Sequence, residues 1–181
     1  MGDITSSIVV KGINMAKATA LADKAIKHLI AQKIILGEQT DCVLGKPLGY
    51  PPGENHGLVM EEESDQWLEL RTNGLEITVG RNVYYANGID SIECPNCEAN
   101  IEETNWGDAM DAWVSESEND QVTCPECNQS RSVTELVFKP TWTFGELGFT
   151  FWNWGTPFNQ SFIDEMETVL GHKVVIAYTK I

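Results

Sequence analysis

The chain has 181 residues, 42 % of them apolar, and a formal net charge of −15. That apolar share is enough for a real core and excludes wholesale disorder, while no apolar run approaches the ~18 residues that a membrane-spanning helix requires. Between Asp90 and Glu126 stand eleven acidic residues and no Lys or Arg, which argues against nucleic acid as a partner, because phosphate contacts rest on basic side chains.

Met1-Gly2-Asp3-Ile4-Thr5-Ser6 fits a myristoylation pattern formally, but the pattern is short and common and is read as chance. The stretch Ile4 to Val10 is β-branched and apolar, a first strand. Gly12 ends it, and Asn14 is placed to cap a helix starting at Met15. In that helix Ala18, Leu21, Ala22, Ala25, Ile26, Leu29 and Ile30 recur at three and four, giving one apolar stripe, and Gly37 is the expected C′ residue. Lys17, Lys24, Lys27, His28 and Lys33 fall on its outer side, either a solvated face or a basic docking surface.

From Glu38 to Gly57 glycines and prolines interrupt regular structure. Gly45-Lys46 is no phosphate loop, since Thr40 stands where the first Gly belongs and Pro47 replaces the Mg²⁺-binding hydroxyl. Cys42 reads as a small buried hydrophobe. Tyr50-Pro51-Pro52-Gly53 presents an aromatic on a stiff turn, and Glu54, His56 and Glu61 to Glu63 offer acid–base groups in the stretch from Cys42 to Asp65. Trp67 to Arg71 and Leu75 to Val79, flanking Thr72-Asn73-Gly74, read as a hairpin, with Val83 to Ala86 as a third strand.

Next come Cys94-Pro95-Asn96-Cys97 and Cys124-Pro125-Glu126-Cys127, two Cys-x-x-Cys loops separated by 26 residues. Two such loops bring four sulfurs to one ion, and a closed tetrahedral Zn²⁺ site with Zn–S bonds of about 2.3 Å is the expected outcome. Disulfides fit poorly, because the pairs are cramped and no signal peptide points to an oxidising compartment; a thioredoxin-type redox pair needs one motif, not two. Over residues 92–131 the loops resemble the zinc-ribbon superfamily, whose usual form is Cys-Pro-x-Cys in both knuckles. The chain departs from it after each second Cys, where Gly is usual and Glu98 and Asn128 stand. Between the knuckles Trp106, Met110, Trp113 and Val114 mark a short helix capped by Asn105.

Beyond Cys127, Val133 to Lys139 returns to strand, and Phe149 to Trp154 forms a strand with aromatics on both faces. Such a strand is either covered on both sides or leaves Trp152 and Trp154 exposed to a partner. Ser161 to Asp164 resembles a capping box before a helix over residues 162–170, ended by Gly171, and Val174 to Tyr178 closes the chain as a strand.

This order implies an α+β fold: a mainly antiparallel sheet with two helices on one face, ferredoxin-like in outline. Residues 1–89 and 132–181 would form the body, and residues 90–131 an inserted zinc-ribbon module. The leading functional reading is a non-enzymatic, cytoplasmic zinc protein whose acidic module binds a protein partner through a basic or aromatic-binding surface, in an interaction or regulatory role. Two alternatives stand beside it: an enzyme using the loop around His56, and a rubredoxin-like iron electron carrier, since four thiolates also suit iron.

Overall fold

In the computed structural model of the protein, residues 2–62, 67–117, 119–155 and 157–180 are described. The body is built from strands β1 (Ile4–Val10), β2 (Gly74–Tyr85), β7 (Trp142–Trp152) and β8 (Val174–Lys180), with helices α1 (Met15–Ala31) and α3 (Gln160–Leu170). The sheet order is β2-β7-β1-β8, antiparallel throughout. This is the split β-α-β arrangement of the ferredoxin-like fold, with a short helix and four three-residue strands inserted between β2 and β7.

Alternation along the strands decides which face is filled. Ile8 and Val10 of β1, Leu75 of β2, and Leu147, Phe149 and Phe151 of β7 point to the helices and are buried with Ala18, Ala22, Ala25 and Leu29 of α1 and Phe162, Met166 and Leu170 of α3. Each helix offers one apolar stripe, so both lie on the same face of the sheet.

β2 and β7 continue as a long ribbon beyond this core. Their register shifts between Val79 and Asn82, where Gly80 has φ +136°, and pairing resumes through Tyr85↔Trp142. A bulge bends the strand that carries it. The bent half folds back over the face opposite the helices: the Tyr84 ring lies above Gly148, and Asn87 bonds Lys180 through both the Lys180 N–H (2.6 Å) and its carbonyl (2.5 Å).

At the far end of the ribbon sits the module. β3 (Ser91–Glu93) pairs with β6 (Val137–Lys139), β4 (Gln121–Thr123) pairs with β5 (Ser130–Ser132), and α2 (Trp106–Val114) packs beside them. A second apolar cluster forms here from Ile92, Ile101, Ala109, Trp113, Val122, Val133, Leu136 and Phe138, joined by Phe144 from β7. Arg81 ties the module to the ribbon: it donates to the Trp113 carbonyl (2.8 Å), its guanidinium lies 5.3 Å from the Trp113 ring centre, and Glu146 is 3.6 Å away.

Several sequence expectations are corrected. Trp67 to Arg71 is turn and bend, not a strand, and β2 starts at Gly74. Asn73 is 5 % exposed, and its side chain donates to the Trp67 and Asn153 carbonyls (2.7 and 3.0 Å), so it bridges loops instead of turning a hairpin. Val83 to Tyr85 is the second half of β2, not a separate strand. α1 ends at Ala31 with Lys33 in the left-handed region (φ 58°), well before Gly37. The first part of Val133 to Lys139 is a short 3-10 turn. Asn159, not Ser161, caps α3, accepting from the Phe162 N–H at 2.9 Å. Trp152 and Trp154 are 7 % and 3 % exposed, so the strand is covered on both sides and neither ring is offered to a partner.

Candidate metal centre

The two knuckles are built alike. In the first, the Cys94 N–H donates to the Ala99 carbonyl (2.9 Å) and the Glu98 N–H to the Cys94 carbonyl (2.9 Å). In the second, the Cys124 N–H donates to Gln129 (3.0 Å) and the Asn128 N–H to Cys124 (2.9 Å). Each loop closes on a left-handed residue, Glu98 at φ 60° and Asn128 at φ 56°. Asn adopts that conformation readily, whereas Glu there costs about 1 kcal/mol.

This geometry brings Cys94, Cys97, Cys124 and Cys127 together, with all four sulfurs within 4.8 Å of one another. The Sγ–Sγ distances are 3.8 Å for Cys94–Cys127 and 3.7 Å for Cys97–Cys124. Four thiolates at about 2.3 Å from a central ion have tetrahedral edges of about 3.8 Å, so the residues present fit a four-coordinate metal. The separation also rules out disulfides across the knuckles, which need sulfurs about 2.05 Å apart. Cys94 and Cys124 are buried and Cys97 is exposed, so the site lies at the module's surface with its inner half against the module core.

Electrostatics within the cluster are split. The Gln129 backbone N–H pulls the Cys127 thiol down, and the Asn96 side chain and neighbouring thiols add to it, to about 6. The Ala99 N–H pulls on Cys97 in the same way, but desolvation and the Cys127, Cys124 and Cys94 thiols outweigh it and push that group up to about 12. Crowded thiols therefore resist losing all their protons together, and a bound cation is what makes four thiolates compatible at this spacing. The sequence pattern located the four sulfurs; it did not reveal that Asn96 reaches across to the other knuckle.

The other candidate residues belong to the body and not to this centre. Cys42 packs with Val43 and Trp152, against Gly74, as a small apolar group. His56 is 9 % exposed, with Nδ1 3.0 Å from the Gly53 carbonyl and its ring edge-on to Trp154 at 6.0 Å. Glu54 turns to the surface and pairs with Lys33 at 2.7 Å, which holds its carboxyl below the usual range. Glu61 and Glu62 are exposed, and Glu63 and Asp65 lie outside the described residues. Tyr50 packs against the main core, so the Pro-Pro turn does not offer its ring outward.

The acidic character of the module is a surface property. Asp90, Glu98, Glu102, Glu103, Asp108, Asp111, Glu116 and Glu126 are all exposed, whereas Glu93 pairs with Lys139 at 2.6 Å and Asp120 accepts from Ser132 at 2.7 Å. No helix among the described residues is long and apolar enough to cross a membrane. Comparisons with family models, with curated proteins and with solved structures return no match.

Proposed function

We propose that Cys94, Cys97, Cys124 and Cys127 hold one Zn²⁺ in a closed structural site, and that the acidic module so fastened is a protein-binding surface with an interaction or regulatory role, not a catalytic one. The observation that carries this reading is the pair of 3.7–3.8 Å sulfur edges on two matched knuckles. With all four ligands supplied by the chain, no position is left for substrate or water, as in structural zinc sites.

The partner we infer presents Lys and Arg. Eight exposed carboxylates in the module form no ion pair among the described residues, and such a one-sign surface steers an oppositely charged protein. The same surface disfavours phosphate backbones. The enzyme reading has less behind it: Glu54 is turned to the surface and engaged by Lys33, and acid–base work needs geometry first.

Metal analysis of purified protein should return about one zinc per chain and little iron. A red protein absorbing in the visible would replace this reading with the iron carrier. For the surface, lysine substitution of Glu102, Glu103, Asp108 and Asp111 together should abolish capture of the partners that wild-type protein retains at low salt. Capture that survives the charge reversal would place the binding surface elsewhere.

A further inference from the structure

The face of the four-stranded sheet opposite the helices is mixed: Val9 and Ala177 pack with Tyr84, and Trp152 with Cys42 and Val43, but polar side chains stand between these two small clusters. On this face the register sets Glu76, Thr150 and Ser7 in one row across three strands, Trp152, Thr5 and Thr179 in the next, and Thr78, Gly148 and Val9 in a third. Gly148 is required there, because a Cβ at that position would collide with the Tyr84 ring that the bent half of β2 lays over it. Tyr84 thereby becomes a wall, and the first two rows, with Thr78 of the third, line a cleft of about 150 Å³.

This cleft keeps polar groups where a sheet would gain stability from apolar ones. Thr5, Ser7, Glu76 and Tyr84 are 6 %, 5 %, 9 % and 5 % exposed, and burying such groups costs free energy unless each finds a hydrogen bond. Some do: Ser7 and Thr150 bond each other at 2.9 Å, and Glu76 Oε2 accepts from Trp152 Nε1 (2.9 Å) and from the Gly45 N–H (3.1 Å). Two remain over. Glu76 Oε1 accepts no hydrogen bond among the described residues. The Tyr84 hydroxyl, with Thr78 and Asn82 beside it, makes none of ordinary geometry. Burial pushes the Tyr84 phenol up to about 12, so it keeps its proton at neutral pH and can accept or donate.

The lining contains one carboxylate, five aliphatic hydroxyls and no Lys, Arg or His. An anion finds no countercharge there, whereas a group with several N–H donors and a positive charge finds acceptors on every side. We propose that this cleft is a binding site for a small molecule bearing a primary ammonium group, seated between Glu76 Oε1 and the Tyr84 hydroxyl with the Trp152 ring as a wall. A volume equal to about five waters limits the ligand to a few heavy atoms. The site shares no residue with the metal centre and does not depend on it.

The test uses the full, metal-loaded chain, isotope-labelled for NMR, titrated with ethanolamine, and separately with ethylene glycol, acetate and potassium chloride. Ethanolamine should give saturable shifts of the Trp152 indole N–H and of the Glu76 and Thr150 amides, and the other three should not. Tyr84→Phe keeps the ring over Gly148 and should weaken ethanolamine by about tenfold; Glu76→Gln should weaken it at least as much. Should Glu76→Gln fail to fold, Tyr84→Phe decides. Equal shifts from ethylene glycol, equal binding of potassium, or variant affinity indistinguishable from wild type would each overturn the assignment.

Discussion

Asn153 ties together stretches of chain that have no local reason to meet. It is 0 % exposed and sits just past β7 with φ 54°, a conformation that Asn tolerates better than most residues. Its Nδ2 donates to Asp3 Oδ1 (2.6 Å) and to the Thr72 carbonyl (2.7 Å), and its Oδ1 accepts from the Ile4 N–H (2.9 Å). Its own carbonyl receives the Asn73 side chain at 3.0 Å. One residue thus anchors the start of β1 and the loop before β2 to the end of β7. Replacing it with Ala leaves several buried groups unsatisfied, and Asn153→Ala should lower stability by roughly 2–4 kcal/mol in urea denaturation. A loss under about 0.5 kcal/mol would mean that water replaces these bonds. Nothing in the sequence announced this role, because the partners lie 80 to 150 positions away. The cysteines were legible for the opposite reason: their chemistry is fixed by residue type and a spacing of three, both readable in one dimension.

Among elements, the helices were legible and the strand partners were not. A helix declares itself through its own periodicity, and α1, α2 and α3 lie within a few residues of where the apolar stripes put them. A strand's partner is chosen by the tertiary fold. β2 finds β7, with Leu75 facing Phe151, and the nearby stretch after Trp67 stays a turn. The local Asn-Gly signal yields because burying Asn73 against two carbonyls outweighs the turn preference. The aromatic run of β7 resolves similarly: Phe149 and Phe151 enter the helix-side core, while Trp152 is covered by Cys42 and Val43 on the other face. Cap identity belongs to this scale too. Asn159 accepts the Phe162 N–H, and its side chain also donates to the Leu58 carbonyl at 2.8 Å, so Asn159→Ala should cost about 1–2 kcal/mol. Ser161→Ala should be nearly neutral. Urea midpoints of the two variants would decide between them, and a larger loss for Ser161→Ala would return the cap to the position first read from the sequence.

Across the whole molecule, two apolar clusters are strung on one bent ribbon. The larger lies between the sheet and α1 and α3, and the smaller surrounds α2 and the knuckles, with Phe144 and Arg81 at the junction. The α+β class followed from the order of predicted elements. The fold-back of the ribbon did not, since it depends on a bulge at Gly80 and on the space above Gly148, which become visible only once β2 and β7 are paired. In our proposal one zinc ion fastens the smaller cluster. Its strands are only three residues each and α2 only nine, so it has little secondary structure with which to order itself, and small units of this kind depend on a staple. The larger cluster has complete helices and long strands and should stand without metal. Hydrogen exchange of the full chain before and after zinc removal by a chelator tests this most directly. Protection of the Cys94, Glu98, Cys124 and Asn128 amides and of α2 should vanish on chelation, while β1, α1 and β8 keep theirs. Undiminished protection in the module after the metal has gone, or loss of protection through both clusters together, would contradict it.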